Sequence, residues 1–113
     1  MKIVISQPMK GLSIEEINKN REKAVKMLTE QGHEVIPTVL TIIEYNGKNE
    51  SLFCLASTLC AIADEADAVY FMKGWDNARG CQVEHFICKQ YNVQIMYEIH
   101  DFEYKAKIIN NES

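Results

Sequence analysis

Residues 2–16 read KIVISQPMKGLSIEE, and this stretch decides the fold class. Lys2–Ser6 is a short apolar run rich in β-branched residues, which predicts a buried strand. A proline and a glycine then predict a loop over Gln7–Leu12. Ser13, with Glu16 three residues later, forms a capping box that predicts a helix directly after the serine. The chain therefore opens as strand, loop and helix.

The same alternation continues along the chain. Helically spaced apolar residues predict that the first helix runs from Ile14 to about Gln31, where Gly32 stops it. Thr38–Ser51 carries no clear pattern, and the polar segment after Ile99 is expected to fray or to pack loosely. The other predicted strands are His33–Pro37, Ala68–Met72 and Val93–Tyr97, and the other predicted helices are Ser51–Asp64 and Cys81–Tyr91.

Strands that alternate with helices favour right-handed crossovers and a parallel sheet covered on both faces. We predict a three-layer α/β fold with a doubly wound parallel sheet of about four or five strands, Rossmann- or flavodoxin-like. The expected strand order is 2-1-3-4(-5), with strand one between strands two and three. The 113 residues are enough for a single domain.

Composition excludes some classes of function. The chain is 47% hydrophobic and 25% charged, with a net charge of −4 and no block of basic residues. Nucleic-acid binding is therefore disfavoured, because it needs clustered positive charge. A small phosphorylated ligand remains compatible, since one arginine and a few backbone amides can hold it.

The N-terminal residues do not resemble a signal peptide, because Gln7 and Pro8 interrupt a short apolar run. No apolar stretch is long enough to span a membrane, so we expect a cytoplasmic protein without a membrane partner. The four cysteines are then expected to be thiols, and none has the spacing of a metal site. We expect no metal and no cofactor.

Two predicted loops have unusual composition: Ser6–Gly11 after strand one and Lys73–Gly80 after strand three. Ligands of parallel α/β sheets bind beyond the carboxyl ends of the strands. Strand-loop-helix joints such as the first loop can also offer backbone amides to anions, although a plain connector would read the same. We expect a ligand pocket where these loops meet.

The second loop places several chemically active side chains between two glycines. Trp75 could stack on a nucleobase or sugar ring, or cover the edge of the core. Arg79 could contact a phosphate, or pair with Asp76 at the surface. Gly80 would let a ligand approach the helix start.

Glu84 is the candidate catalytic residue. It falls in the first turn of the predicted third helix, where free amides and the helix dipole favour a negative charge. An ionised carboxylate suits a nucleophile, and its side chain is expected to face the first loop. The alternative is that Glu84 only stabilises the helix start. The three histidines are expected to be non-catalytic.

The sequence resembles nucleoside 2-deoxyribosyltransferase-like proteins, and specifically a small, uncharacterised bacterial and phage branch of that superfamily. The resemblance runs from Lys2 to about Tyr97. It is carried by Ile5-Ser6-Gln7-Pro8-Met9-Lys10-Gly11, by Ala66-Asp67-Ala68-Val69 followed by Gly74-Trp75, and by Ala78-Arg79-Gly80 with Glu84.

The resemblance implies N-glycosidic chemistry. Glu84 would attack the anomeric carbon of a deoxyribose, and the covalent glycosyl-enzyme would then pass the sugar to another base or to water. Both loops would hold a nucleoside or its 5′-phosphate, and a homo-oligomer, a dimer or tetramer, would complete the sites. The implied substrate-binding residues are Ser6, Gln7, Pro8, Met9 and Gly11 in the first loop, and Gly74, Trp75, Asn77, Arg79 and Gly80 in the second.

The chain departs from these relatives at two acidic positions. Leu59 stands where a gap-free alignment expects the Asp that handles the leaving base, and Ala78 stands at the second position, which leaves Asp76 as the nearest acid. Three hypotheses follow: an N-glycosidic transferase or deoxynucleoside-monophosphate hydrolase, a catalytically inactive nucleotide-binding module, and a structural or protein-interaction role.

The predicted helix Ser51–Asp64 shows apolar residues all round, including Leu52 and Phe53. One sheet face cannot cover such a helix. We therefore expect it at a homo-oligomer interface.

Overall fold

The computed structural model describes residues 1–38 and 45–99. Every predicted helix and strand is present, with ends shifted by a few residues. In chain order the elements are β1 (Lys2–Ser6), α1 (Ile14–Glu30), β2 (Glu34–Val35), α2 (Glu50–Glu65), β3 (Ala68–Phe71), a short 3-10 helix (Trp75–Asn77), α3 (Arg79–Gln90) and β4 (Gln94–Tyr97).

The four strands form one parallel sheet in the order β2-β1-β3-β4. This confirms the predicted α/β class and the central place of β1. β2 is shorter than the predicted His33–Pro37, because it lies at the sheet edge and pairs only with Lys2 and Ile3. Two segments lie outside the described residues: 39–44, within the stretch that carries no clear pattern, and 100–113, where fraying or a short extra element was expected.

The sheet is covered by helices on both faces. α1 packs on one face against Ile3 and Ile5, whereas α2 and α3 pack on the other face against Val4. Neighbouring residues of β1 therefore point into different cores, as the period of a strand requires. The resulting three layers confirm the doubly wound arrangement.

The ends of α1 follow the predicted local chemistry. The Ser13 hydroxyl accepts a hydrogen bond from the Glu16 N–H at 3.1 Å and donates to its carboxylate at 3.2 Å. At the other end Gly32 has φ +88°, and the His33 N–H reaches the Leu28 carbonyl at 3.0 Å. These contacts satisfy backbone groups that a helix end leaves free, and they fix the direction of the chain into β2.

Candidate functional site

The two predicted loops meet at the carboxyl edge of the sheet. β1 and β3 are neighbours, and Ser6 pairs in register with Phe71, so the loops leave side by side. Gly74 has φ +93°, and a Cβ built on it would lie 3.5 Å from the Pro8 ring. The glycine thus supplies a left-handed turn where the loops touch.

Glu84 reaches the first loop, as predicted. The Ser6 hydroxyl donates a hydrogen bond of 2.6 Å to Glu84 Oε1, and both side chains are buried. The distance is typical of a charge-assisted O–H···O bond. The contact joins the end of β1 to α3 across 78 residues of chain.

Two details of the Glu84 prediction are wrong. α3 begins at Arg79 and not at Cys81, so Glu84 lies in the second turn, beyond the free amides of the helix start. Burial then dominates and raises the pKa of the carboxyl to about 7, while the hydrogen bond from Ser6 lowers it by less. The carboxyl is therefore not held fully ionised at neutral pH.

A cavity of about 720 Å³ opens beside Glu84. This volume suits a small organic ligand. The structure places six of the sequence-predicted site residues on its wall: Gln7, Met9, Asn77, Arg79, Gly80 and Glu84. Ser6 contributes through its hydrogen bond to Glu84.

The other predicted site residues are not among those that line the cavity: Pro8, Gly11, Gly74, Trp75 and Asp76. The Asp76 side chain is exposed, and its backbone carbonyl accepts a hydrogen bond of 2.6 Å from Gln82. No ion pair joins Asp76 to Arg79 within the described part of the chain.

Trp75 belongs to an aromatic cluster instead. Its ring stacks on His85 with centroids 4.1 Å apart, and it also contacts Phe71 and Tyr97. The His85 ring is in turn hydrogen-bonded to the Tyr97 hydroxyl at 2.7 Å. Of the two roles considered for Trp75, the geometry favours covering the core edge.

Gln7 is anchored to α1. Its side-chain amide donates to the Ile17 carbonyl at 2.7 Å, and the residue is only 8% exposed. Its carbonyl oxygen is buried without a hydrogen-bond partner among the described residues. An unpaired buried acceptor costs free energy.

Two cationic residues and the start of α3 contribute to the cavity wall. Lys10 and Arg79 both line it. α3 has Ala78 at its N-cap without a side-chain cap, and its first i→i−4 bond runs from the Gln82 N–H to the Ala78 carbonyl. The N–H groups of the preceding helical residues thus have no helical partner, and they favour an anion.

Sequence reasoning missed the contribution of α2. The cavity wall includes one stripe of this helix: Glu50, Ser51, Cys54, Leu55 and Thr58. Polar residues four apart in the sequence indicate that one face of this helix is polar, but the apolar residues around them obscured the pattern. Leu59, the residue aligned with the missing acid, packs against the core formed with Val4.

The thiols near the site are inert. All four cysteines are free, and burial raises the pKa of both Cys81 and Cys88 to about 11. Such thiols stay protonated near neutral pH and are poor nucleophiles. The described residues contain no group of three or more His, Cys, Asp and Glu side chains that could hold a metal ion.

Comparison with known proteins gives a family but no activity. No helix within 1–38 or 45–99 has the length and apolar character needed to cross a membrane. No curated protein and no solved structure shows a significant match to the chain. One family model, described as Domain of unknown function (DUF4406), matches residues 1–97, and the chain belongs to that family.

Proposed function

We propose that this protein cleaves the N-glycosidic bond of a 2′-deoxynucleoside 5′-monophosphate, with Glu84 as the nucleophile. One observation carries the proposal: a buried carboxylate, oriented by the Ser6 hydroxyl at 2.6 Å, lies on the wall of a cavity large enough for a nucleotide. The resemblance to deoxyribosyltransferase-like proteins in both loops supports the same chemistry.

The reaction has two steps. A Glu84 oxygen attacks C1′, the C1′–N bond breaks, and its electron pair leaves with the base. Water or another base then attacks C1′, and the bond to Glu84 breaks. Two displacements retain the configuration at C1′.

The hydrogen bond from Ser6 prepares Glu84 for the first step. It fixes one carboxylate oxygen, which leaves the other oxygen free to attack. It also opposes the effect of burial on the pKa, so that an ionised fraction exists near neutral pH.

Charge supports a monophosphate as the substrate. Arg79, Lys10 and the uncapped start of α3 line the cavity that Glu84 also lines. A guanidinium can form two parallel hydrogen bonds to a phosphate, and helix amides add to them. A neutral nucleoside would leave these groups unused.

A second candidate is a nucleotide-binding module without activity. Leu59 favours it, because this residue packs into the core and offers no acid to the leaving base. The binding module uses the same cavity and the same cations, and it differs only in the absence of turnover.

The test is incubation of the wild-type protein with the four common deoxynucleosides and their 5′-monophosphates, with released base measured by chromatography. We expect base release from at least one monophosphate and much less from its nucleoside. Glu84→Gln should abolish release, whereas the matched control Glu65→Gln, at the exposed end of α2, should not. Calorimetric binding of monophosphates without any base release would favour the binding module.

A further inference from the structure

Two acidic residues line the same cavity from different helices. Glu84 lines it from α3, and Glu50 lines it from the first position of α2. No other Asp or Glu is among the cavity-lining residues in the described part of the chain.

Glu50 lies in the first turn of α2, where a negative charge favours the helix start, but it is not the residue that caps the helix. The N-cap of α2 is Asn49, whose side chain accepts a hydrogen bond of 2.9 Å from the Leu52 N–H. The helix start is therefore capped without Glu50. No ion pair involves Glu50 within 1–38 and 45–99.

Glu50 is exposed, and it lies on the face of α2 that lines the cavity. Glu50, Cys54 and Thr58 are four residues apart and share one helix face, and all three line the cavity. The charge of Glu50, together with the larger effect of burial, raises the pKa of the Cys54 thiol.

Other groups at the cavity are poor proton donors and acceptors for this chemistry. Cys81 is held as a neutral thiol by burial. The Thr58 hydroxyl donates to the Cys54 carbonyl at 3.2 Å. Asp76, the acid expected from the sequence, is not on the cavity wall.

We propose that Glu50 is the acid–base residue of the site, which protonates the leaving base and then activates the incoming water. This inference rests on the proposed function, since it assigns a second residue to the same reaction. It replaces Asp76 in that role and removes the need for an acid at Leu59.

The two steps balance as follows. When Glu84 bonds to C1′, the C1′–N electron pair moves to the base nitrogen, which takes the proton of the Glu50 carboxyl. Glu50, now a carboxylate, takes a proton from water as the water oxygen bonds to C1′ and the Glu84–C1′ bond breaks. Both carboxyls return to their starting protonation states, as a retaining mechanism requires.

A comparison of leaving groups tests the role of Glu50. The two substrates are the deoxynucleoside monophosphate that the wild-type protein cleaves and 4-nitrophenyl 2-deoxyriboside 5-phosphate, whose phenolate departs without a proton. The first turnover is measured by rapid quench for wild type, Glu50→Gln and Glu50→Asp. Glu65→Gln is the matched control on the same helix.

We expect Glu50→Gln to slow first-turnover base release about 100-fold or more, but to leave first-turnover nitrophenolate release within about threefold of wild type. Later turnovers should be slow, because the water is no longer activated, so nitrophenolate should appear as a burst equal to the protein concentration. Glu50→Asp keeps a carboxylate and should recover part of the lost rate.

Other outcomes have distinct meanings. Equal losses on both substrates, or no loss on either, would overturn the role of Glu50 while leaving Glu84 as the nucleophile. Absence of release from either substrate by the wild-type protein would overturn the proposed function itself, and the role of Glu50 with it.

Discussion

At the scale of single residues, Glu84 combines two opposing demands. Its side chain is buried, with the residue 6% exposed, and its carboxyl group accepts a hydrogen bond from the neutral hydroxyl of Ser6. A buried carboxyl group without a cation beside it is costly to ionise, whereas a carboxylate nucleophile must be ionised to attack. Functional groups held in this way commonly reduce stability.

Glu84→Gln should therefore stabilise the protein in a pH-dependent way. Burial raises the pKa of Glu84 from 4.5 to about 7, so the folded chain keeps a proton that the unfolded chain releases in this window. Stability of the wild type falls as pH rises from 4.5 through 7, and it stays reduced above 7. Gln is neutral at every pH in this range, so the stability of the Glu84→Gln variant should not fall in this way.

The expected gain is about 3 kcal/mol at pH 8, shrinking towards zero near pH 4.5. Urea denaturation of both proteins across this pH range measures it, with Glu65→Gln as the control. A stability difference that does not change with pH would contradict the burial of an ionisable Glu84.

Ser6→Ala should shift the pH dependence of the reaction. The Ser6 hydroxyl lowers the pKa of Glu84, opposing burial, so its removal should raise that pKa further above 7. Because attack needs the carboxylate, the rising limb of kcat/KM against pH should move to higher pH. An unchanged limb in a folded Ser6→Ala protein would show that Glu84 does not control it.

At the scale of elements, most of the fold could be predicted from the sequence. The capping box at Ser13, the glycine after α1 and the β-branched strands each carry their own local chemistry. The start of α3 carries no such signal, because Ala78 is not a residue that favours the N-cap position. The predicted start was therefore too late in the chain, and Glu84 was assigned to the first turn of the helix instead of the second.

The candidate site was predicted less completely than the fold, for a physical reason. The first loop and Glu84 were identified, since neighbouring parallel strands must bring their loops together. The α2 stripe that includes Glu50 and Thr58 depends on how that helix is rotated over the sheet, and only packing decides the rotation. Trp75 had two compatible roles until its ring contacts were known.

The aromatic cluster gives a prediction at this scale. Trp75→Phe removes ring area stacked on His85 and should lower stability by about 1–2 kcal/mol. Because Trp75 does not line the cavity, the Kd for a deoxynucleoside monophosphate should stay within about threefold. Urea denaturation and calorimetry measure the two quantities. If nucleotide binding became much weaker while stability did not change, Trp75 would instead be a ligand-contacting residue.

At the scale of the whole molecule, the strand order positions the site. β1 lies between β2 and β3, and the helices on either side of it cover different faces of the sheet. When the connections that leave two neighbouring strands run to opposite faces of the sheet, a crevice forms between them at the carboxyl edge. The cavity at Ser6 and Glu84 is in this crevice.

Self-association is a prediction that rests on exposed apolar residues of α2 and α3. Leu52, Phe53 and Phe86 are 58%, 43% and 60% exposed on α2 and α3, which contact each other. Large exposed apolar groups on adjacent helices are typical of interfaces. We expect a homo-oligomer by light scattering at micromolar concentration, and Leu52→Lys with Phe53→Lys should dissociate it. A wild-type monomer would contradict the prediction.

The central claim is that a covalent bond forms between Glu84 and the sugar. A 2′-fluoro-arabinosyl analogue of the cleaved nucleotide tests it most directly, because fluorine beside C1′ slows breakdown of the intermediate. Trypsin cuts after Arg79 and Lys89, and Glu84 is the one carboxylate side chain in the peptide Gly80–Lys89. We predict that mass spectrometry finds one sugar phosphate on Glu84 of that peptide, and none in Glu84→Gln. Base release without an adduct, or an adduct on another residue, would contradict the account.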